Sequence, residues 1–182
     1  LTKDERRKTD SNAKTSVVGH PSSVTLDMTD PITIRPLAPT DIPDIARWVA
    51  ETPLWQRYRV TAESFAQRLR DGLEAGATIF VAERADVVLG FVWFVARGAF
   101  NRSAYSHLIG VRPDARASGI GRALMEFAEA RAESRDIFLL VSDFNVDAQR
   151  FYTRLGYRQV GKLEDYVMQG VSELIFWKRK EL

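Results

Sequence analysis

The sequence predicts an α/β (α+β) domain built on a mixed, mostly antiparallel central sheet of about seven strands flanked by helices. Three observations carry that expectation. The β-rich runs 78–83 and 87–96 are separated only by Arg84, Ala85 and Asp86, which makes an antiparallel hairpin. A further run at 105–111 ends in a glycine-bearing turn from which a helix opens. Beyond that helix stands Ile137-Phe138-Leu139-Leu140-Val141, and a helical crossover between two strands of one sheet makes them parallel.

In chain order, residues 1–30 are rich in Lys, Arg, Asp, Ser and Thr and follow no helical or strand period, so they read as a polar, flexible tail. The tail holds no apolar run long enough for a signal peptide or membrane span, and His20 before Pro21 belongs to a turn. The domain then occupies 31–182. Ile32 and Ile34 alternate with Thr33 and Arg35 in a first strand that Pro36 and Pro39 end. Thr40 or Asp41 caps a helix whose inner face is Ile42, Ile45 and Val49, broken at Thr52-Pro53. Thr61 caps a second, with Phe65, Leu69 and Leu73 at fourth-residue spacing and Gly72 and Gly76 weakening its far end. Between these helices Trp55, Gln56, Arg57, Tyr58 and Arg59 fit neither period.

In the run 87–96, Phe91, Trp93 and Val95 point one way and Val92 and Phe94 the other, so this strand is covered on both faces and central. A loop containing Gly98 and Asn101 leads into 105–111, and the helix after the turn runs from about 118 to 134. Asn145 opens the next helix, with Ala148, Phe151, Tyr152 and Leu155 inward and Gly156 closing it. Residues 157–163 and 173–178 form the closing hairpin around a long connection.

Composition narrows the function. At 182 residues and 45% hydrophobic, the chain suits one globular domain with a sizeable core. A net charge of +2, from scattered arginines, gives no footprint for nucleic acid. With no cysteine, disulfides and thiolate metal sites are excluded, and no metal site is expected.

The chemistry concentrates at 111–125, Val-Arg-Pro-Asp-Ala-Arg-Ala-Ser-Gly-Ile-Gly-Arg-Ala-Leu-Met. A helix opening from such a turn leaves its first N–H groups without partners, and its dipole places partial positive charge there. Gly119 and Gly121 let a phosphate approach the main chain, and Arg116 and Arg122 add charge, so the expected ligand is a diphosphate. Without a ligand in view, the same residues read equally as a helix start with solvated arginines. A Walker loop is ruled out because Arg122-Ala123 follows Gly121 where Lys and Ser or Thr are required. A dinucleotide fingerprint is ruled out by Leu124 at its sixth position.

What remains is R-x-x-G-x-G in 116–121, preceded by I-x-V-x-P in 109–113. This resembles the acyl-CoA signature of the GNAT superfamily of N-acyltransferases. The stretch N-x-x-A-x-x-F-Y-x-x-x-G-Y at 145–157 resembles that family's second signature, and the likeness extends over about 32–180. The resemblance implies an acyl-CoA N-acyltransferase fold in which the turn amides of Arg116, Ala117, Ser118, Gly119, Gly121 and Arg122 hold the coenzyme A pyrophosphate. It also implies that the strand at Ile109 and Val111 pairs with the pantetheine arm and offers a main-chain N–H to the thioester carbonyl. Asn145 is either an N-cap alone or also a partner of the pantetheine amide. Many family members carry Gly where this chain has Ala117; at negative φ Ala is harmless, whereas positive φ would strain it.

By the same resemblance Tyr152 stands where the family keeps the tyrosine that protonates the departing thiolate, although its spacing also suits a core aromatic beside Phe151. An ordinary phenol at about 10 and a thiol at about 8.5 make that transfer mildly uphill. Stripping a proton from the acceptor ammonium needs a base, and His107, on the same strand face as Tyr105, is the first candidate. Glu51 and Asp143 are further candidates, and Trp55 and Tyr58 are candidates for the acceptor pocket. The expectation is a cytoplasmic N-acetyltransferase that moves an acetyl group from acetyl-CoA to a primary amine of a small molecule, peptide or protein, by direct attack through a tetrahedral intermediate. Neither metal, nucleic acid nor membrane takes part, and a homodimer is allowed. The competing expectation is an acyl-CoA-binding regulatory module without turnover.

Overall fold

The computed structural model describes residues 30–181, so the tail expected at 1–30 lies, but for Asp30, outside the described residues. Seven strands form one sheet: β1 Thr33–Pro36, β2 Thr78–Arg84, β3 Val87–Ala99, β4 Ser103–Val111, β5 Asp136–Ser142, β6 Arg158–Leu163 and β7 Glu173–Arg179. The helices are α1 Ile42–Glu51, α2 Pro53–Arg57, α3 Ala62–Glu74, α4 Ile120–Arg131 and α5 Val146–Arg154. The strand order is β1-β2-β3-β4-β5-β7-β6, and the β4–β5 pair alone is parallel. Among the described residues no helix is long and apolar enough to cross a membrane.

The sheet is buried on both faces. Ile42, Ile45, Val49, Phe65 and Leu69 of α1 and α3 close over Val81 and Phe91. On the other face Ile120, Leu124, Met125 and Ala128 of α4 join Leu89, Val92, Ile137 and Leu139. Each such side chain, fully withdrawn from water, contributes roughly 1.5–3 kcal/mol. The alternation of β3 follows from this, Phe91 serving one core and Val92 the other, and the cover ends at Val95, which is 36% exposed.

Several boundaries differ from the sequence expectation. The residues 53–57 coil into α2, because Pro53 fixes a helical first position and Trp55 finds a packing partner in Phe65. Strand β3 runs on to Ala99, and Phe100 and Asn101, both at positive φ, turn the hairpin. Helix α4 is shorter than 118–134, since Gly119 is left-handed and Ala132 extended. Asp41 stands at the N-cap of α1 without a side-chain bond to it; its carboxylate accepts the Ala38 N–H at the start of the preceding 3-10 turn and pairs with Arg35. Thr61 caps α3 as expected, accepting from the Ser64 N–H.

Two irregularities position the site. Trp93 and Phe94, adjacent on β3, face Leu108 and Ser106 on β4, so His107 is the extra residue of a β-bulge. The parallel β4–β5 ladder comprises Ala104↔Ile137, Tyr105↔Phe138 and Ser106↔Leu139 and stops there, although both strands continue. From His107 and Leu140 onward the two strands part. A bulge raises local twist, which is the physical reason the ladder opens where it does.

Candidate active site

The parting leaves the main chain of 107–111 bonded to β3 on one edge and open on the other. Ile109 and Val111 lie in this stretch, half-buried against the α4 core. At its end Arg112 donates to the Leu89 carbonyl and pairs with Asp114, and a 3-10 turn over Pro113–Ala115 redirects the chain. Ser118 bonds the Ala115 carbonyl through its hydroxyl, Ala117 takes φ +60 and Gly119 φ +88, and α4 begins.

This turn leaves a cluster of amides for a ligand. The Ala123 N–H makes the first helical bond, to Gly119, so those of Ile120, Gly121 and Arg122 precede any intrahelical partner. Among the described residues none accepts the N–H of Ala117, Ser118 or Gly119. A Cβ on Gly119 would meet nothing within 4 Å, so this side is open, whereas one on Gly121 would come to 3.3 Å from Phe151 of α5. The turn, the end of β4 and α5 therefore converge. Arg116 is exposed, while Arg122 spends its charge on Glu126 at 3.3 Å, an exposed pair of small worth that a phosphate could displace.

Across the gap, Asn145 caps α5, its side-chain oxygen accepting the Ala148 N–H. Its amide NH2 is the group left to donate to a further acceptor. Tyr152, one turn and a half into α5, is 5% exposed and lies edge-on to Phe151 and Tyr157. Its hydroxyl bonds none of the described residues, and burial, with the Tyr105 phenol adding, holds it well above the ordinary phenol range. The phenol is thus protonated at neutral pH, but its transfer to a thiolate is steeper than the mildly uphill step expected from an unperturbed tyrosine.

His107 sits edge-on to Trp93 with ring centroids 4.9 Å apart, and its Nε2 lies 2.9 Å from an Arg68 guanidinium nitrogen. Arginine can only donate, so Nε2 is the acceptor and the ring is neutral with its proton on Nδ1. Burial and the Arg68 charge both lower its pKa. In this arrangement the imidazole has no lone pair left for an ammonium.

The two acceptor-pocket candidates separate. The Trp55 ring tilts against Phe65 at 5.6 Å and packs, partly buried, on the α1–α3 core. Tyr58 reaches the gap: its hydroxyl lies 2.6 Å from the Ser142 hydroxyl at the end of β5 and donates to Glu173 Oε1 at 2.6 Å. Arg57 stacks on Phe144 at 3.7 Å, fastening α2 to the β5–α5 loop. Burial and the Glu173 bond push the Tyr58 phenol up to about 12. Of the other base candidates, Glu51 is exposed at the end of α1, and Asp143 accepts the Ser172 N–H.

A family model described as the acetyltransferase (GNAT) family matches residues 42–157, the stretch holding both signatures and the parted strands. The chain belongs to the GNAT acetyltransferase family. The mycothiol acetyltransferase of Thermobispora bispora is 34% identical over 104 residues, 53% of this chain and 35% of that protein, so this GNAT chain matches about a third of that relative's length. The streptothricin acetyltransferase of Streptomyces lavendulae is 31% identical over 126 residues, 68% of this chain and 66% of that protein. The structure of yncA from Salmonella typhimurium with its cofactor acetyl-CoA superposes with a TM-score of 0.64 at 16% identity, covering 82% of this chain and 94% of that one, a likeness of fold.

Within the GNAT frame, the sequence missed Glu173, Ser142 and Phe144. Glu173 opens an otherwise apolar strand, Glu-Leu-Ile-Phe-Trp, and a carboxylate at the head of a buried strand was the one available signal. Nothing local ties it to Tyr58, 115 residues away.

Proposed function

We propose that this GNAT chain transfers an acetyl group from acetyl-CoA to a primary amine of a small molecule or peptide. The observation that carries the reading is the parting of β4 from β5 after Ser106↔Leu139, directly beside a turn whose amides lack partners. A strand edge opened at that place suits a peptide-like arm, and an amide nest at a helix start suits linked phosphates. The family membership, the named acetyltransferase relatives and the acetyl-CoA in the yncA structure support the same donor.

On this reading the amides of 117–122 hold the pyrophosphate, the open edge of 107–111 aligns the pantetheine, and the Asn145 NH2 adds one bond. Acetyl-CoA supplies an acyl group activated as a thioester. A main-chain N–H of the 109–111 stretch polarises the carbonyl, and Tyr152 donates its phenol proton to the sulfur. The buried ring around Tyr152 keeps water from competing with the amine.

The test is thiol release from acetyl-CoA with a panel of alkylamines, diamines, aminoglycoside-like amines and short peptides, with calorimetry of coenzyme binding alongside. Amine-dependent thiol release with stoichiometric N-acetylated product supports the proposal. Coenzyme binding without release across the panel replaces it with a binding module.

A further inference from the structure

Glu173 is an unusual carboxylate. It is 5% exposed, it begins β7 opposite Ser142 of β5, and among the described residues no lysine or arginine pairs with it. Among the described residues its side chain accepts one hydrogen bond, from the Tyr58 hydroxyl. A carboxylate withdrawn from water without a cation costs several kcal/mol, so proteins keep such groups where a cation is to be supplied. The groups around it fit an incoming ammonium. Tyr58 touches it from α2, Ser142 lies beside that hydroxyl, and the Tyr105 phenol of β4 feels its charge. Tyrosine rings and hydroxyls favour a primary or substituted ammonium. The nearby cations are committed elsewhere, Arg57 to the Phe144 face and Arg68 to His107. The remaining charge facing Glu173 is Asp143, which disfavours a second anion there.

Tyr105 links the two halves of the chemistry. Its phenol is coupled electrostatically to both Glu173 and Tyr152.

Resting on the acetyl-transfer reading, we propose that Glu173 receives the acceptor as its ammonium ion and is the base that takes its proton, with Tyr58 as the residue that positions the carboxylate. The ammonium proton passes to a Glu173 oxygen. The nitrogen lone pair so exposed forms the C–N bond to the thioester carbon, and the C–S bond breaks with its electron pair going to sulfur. Sulfur takes the Tyr152 proton, the surplus proton on the new amide nitrogen restores the phenol, and Glu173 returns its proton to solvent. His107 then has a positioning role, orienting Arg68 and filling the bulge. Burial, the first cause, holds the Glu173 pKa above the usual carboxylate range, and the Tyr58 bond works against that rise.

The experiment compares the wild-type chain with Glu173→Gln, Tyr58→Phe and His107→Gln, using acetyl-CoA and the fastest amine of the panel, with kcat/KM followed from pH 5 to 10. Removing a general base costs about 10²–10⁴-fold, so Glu173→Gln should fall by at least that lower figure at pH 7 while its coenzyme affinity holds. It should also lose the acid limb of the wild-type profile and gain about tenfold per pH unit as the free amine accumulates below about 10.4. Tyr58→Phe should move the acid limb to higher pH, because the lost hydrogen bond favoured the ionised carboxylate. Should Glu173→Gln not fold, the limb of Tyr58→Phe decides: an unmoved limb overturns the proposal. So does a folded Glu173→Gln that keeps wild-type rate and limb, or a limb that vanishes in His107→Gln. A wild-type chain without thiol release on any amine removes the acetyl-transfer reading itself, and the inference with it.

Discussion

Ala117 and Gly119, two residues apart in the turn before α4, both lie in left-handed backbone, at φ +60 and +88. Gly carries that conformation without strain, while an L-residue with a Cβ pays about 1–2 kcal/mol. The turn therefore stores strain at Ala117, and the side chain is exposed, so nothing packs against it in return. Ala117→Gly should stabilise the fold by up to about 1 kcal/mol once the extra freedom of glycine in the unfolded chain, roughly 0.4–1 kcal/mol, is set against the relief. Thermal unfolding should shift upward by about 1–4 °C for a domain of this size, and coenzyme affinity should hold or tighten. A lower Tm would show that the turn relaxes differently from the geometry described.

Tyr152→Phe removes a hydroxyl that no described residue bonds, so stability should change by less than about 0.5 kcal/mol. Turnover should fall by about 10²–10⁴-fold with coenzyme binding intact, as for loss of a general acid. Stopped-flow thiol release and calorimetry on the same preparation separate the two. An undiminished kcat would return Tyr152 to the role of a core aromatic.

Asp41 gives stability a pH dependence. Its burial pushes the carboxyl pKa upward, but the Arg35 guanidinium at 2.7 Å and the Ala38 N–H outweigh that and leave it lowered. A depressed folded pKa means the stabilisation is fully present above the unfolded value near 3.9 and disappears as pH falls through the lower folded value. Asp114, held down by Arg112, loses its contribution in the same window. Urea unfolding should show stability falling below about pH 4. In Asp41→Asn the fall should be shallower, from a starting point on the order of 1–2 kcal/mol lower at pH 7.

Gly110, in the parted stretch of β4, has no room for a side chain. A Cβ there would stand 2.5 Å from Phe91 Cε1 and 3.0 Å from Trp48 Cη2, both in the α1–α3 core. Gly110→Ala should cost about 1–3 kcal/mol through overpacking. Because relief requires β4 to move toward the open edge, coenzyme affinity should weaken as well. Unchanged urea midpoint and affinity would mean that the Phe91 ring swings aside without strain.

Much of this protein was legible in local pattern. The two-faced apolar run of β3, the capped helices and the crossover at 118–134 specify strands, helices and one parallel pair, because side-chain period and turn chemistry act over a few residues. The turn at 116–122 was legible for the same reason, its amides and glycines being contiguous in sequence. What periodicity did not disclose was partnership. Trp55 and Tyr58 stand three residues apart and look alike as aromatic candidates, yet one is drawn into the core by Phe65 and the other crosses to Ser142 and Glu173. His107, the first base candidate in the sequence, is set by the bulge beside Arg68, which occupies its Nε2 lone pair. The sequence by itself determined the sheet, its helices and the turn that opens α4. Only the tertiary structure decided where β4 leaves β5 and which carboxylate meets Tyr58, because those depend on contacts between segments distant in sequence, where burial rather than local propensity fixes charge and direction.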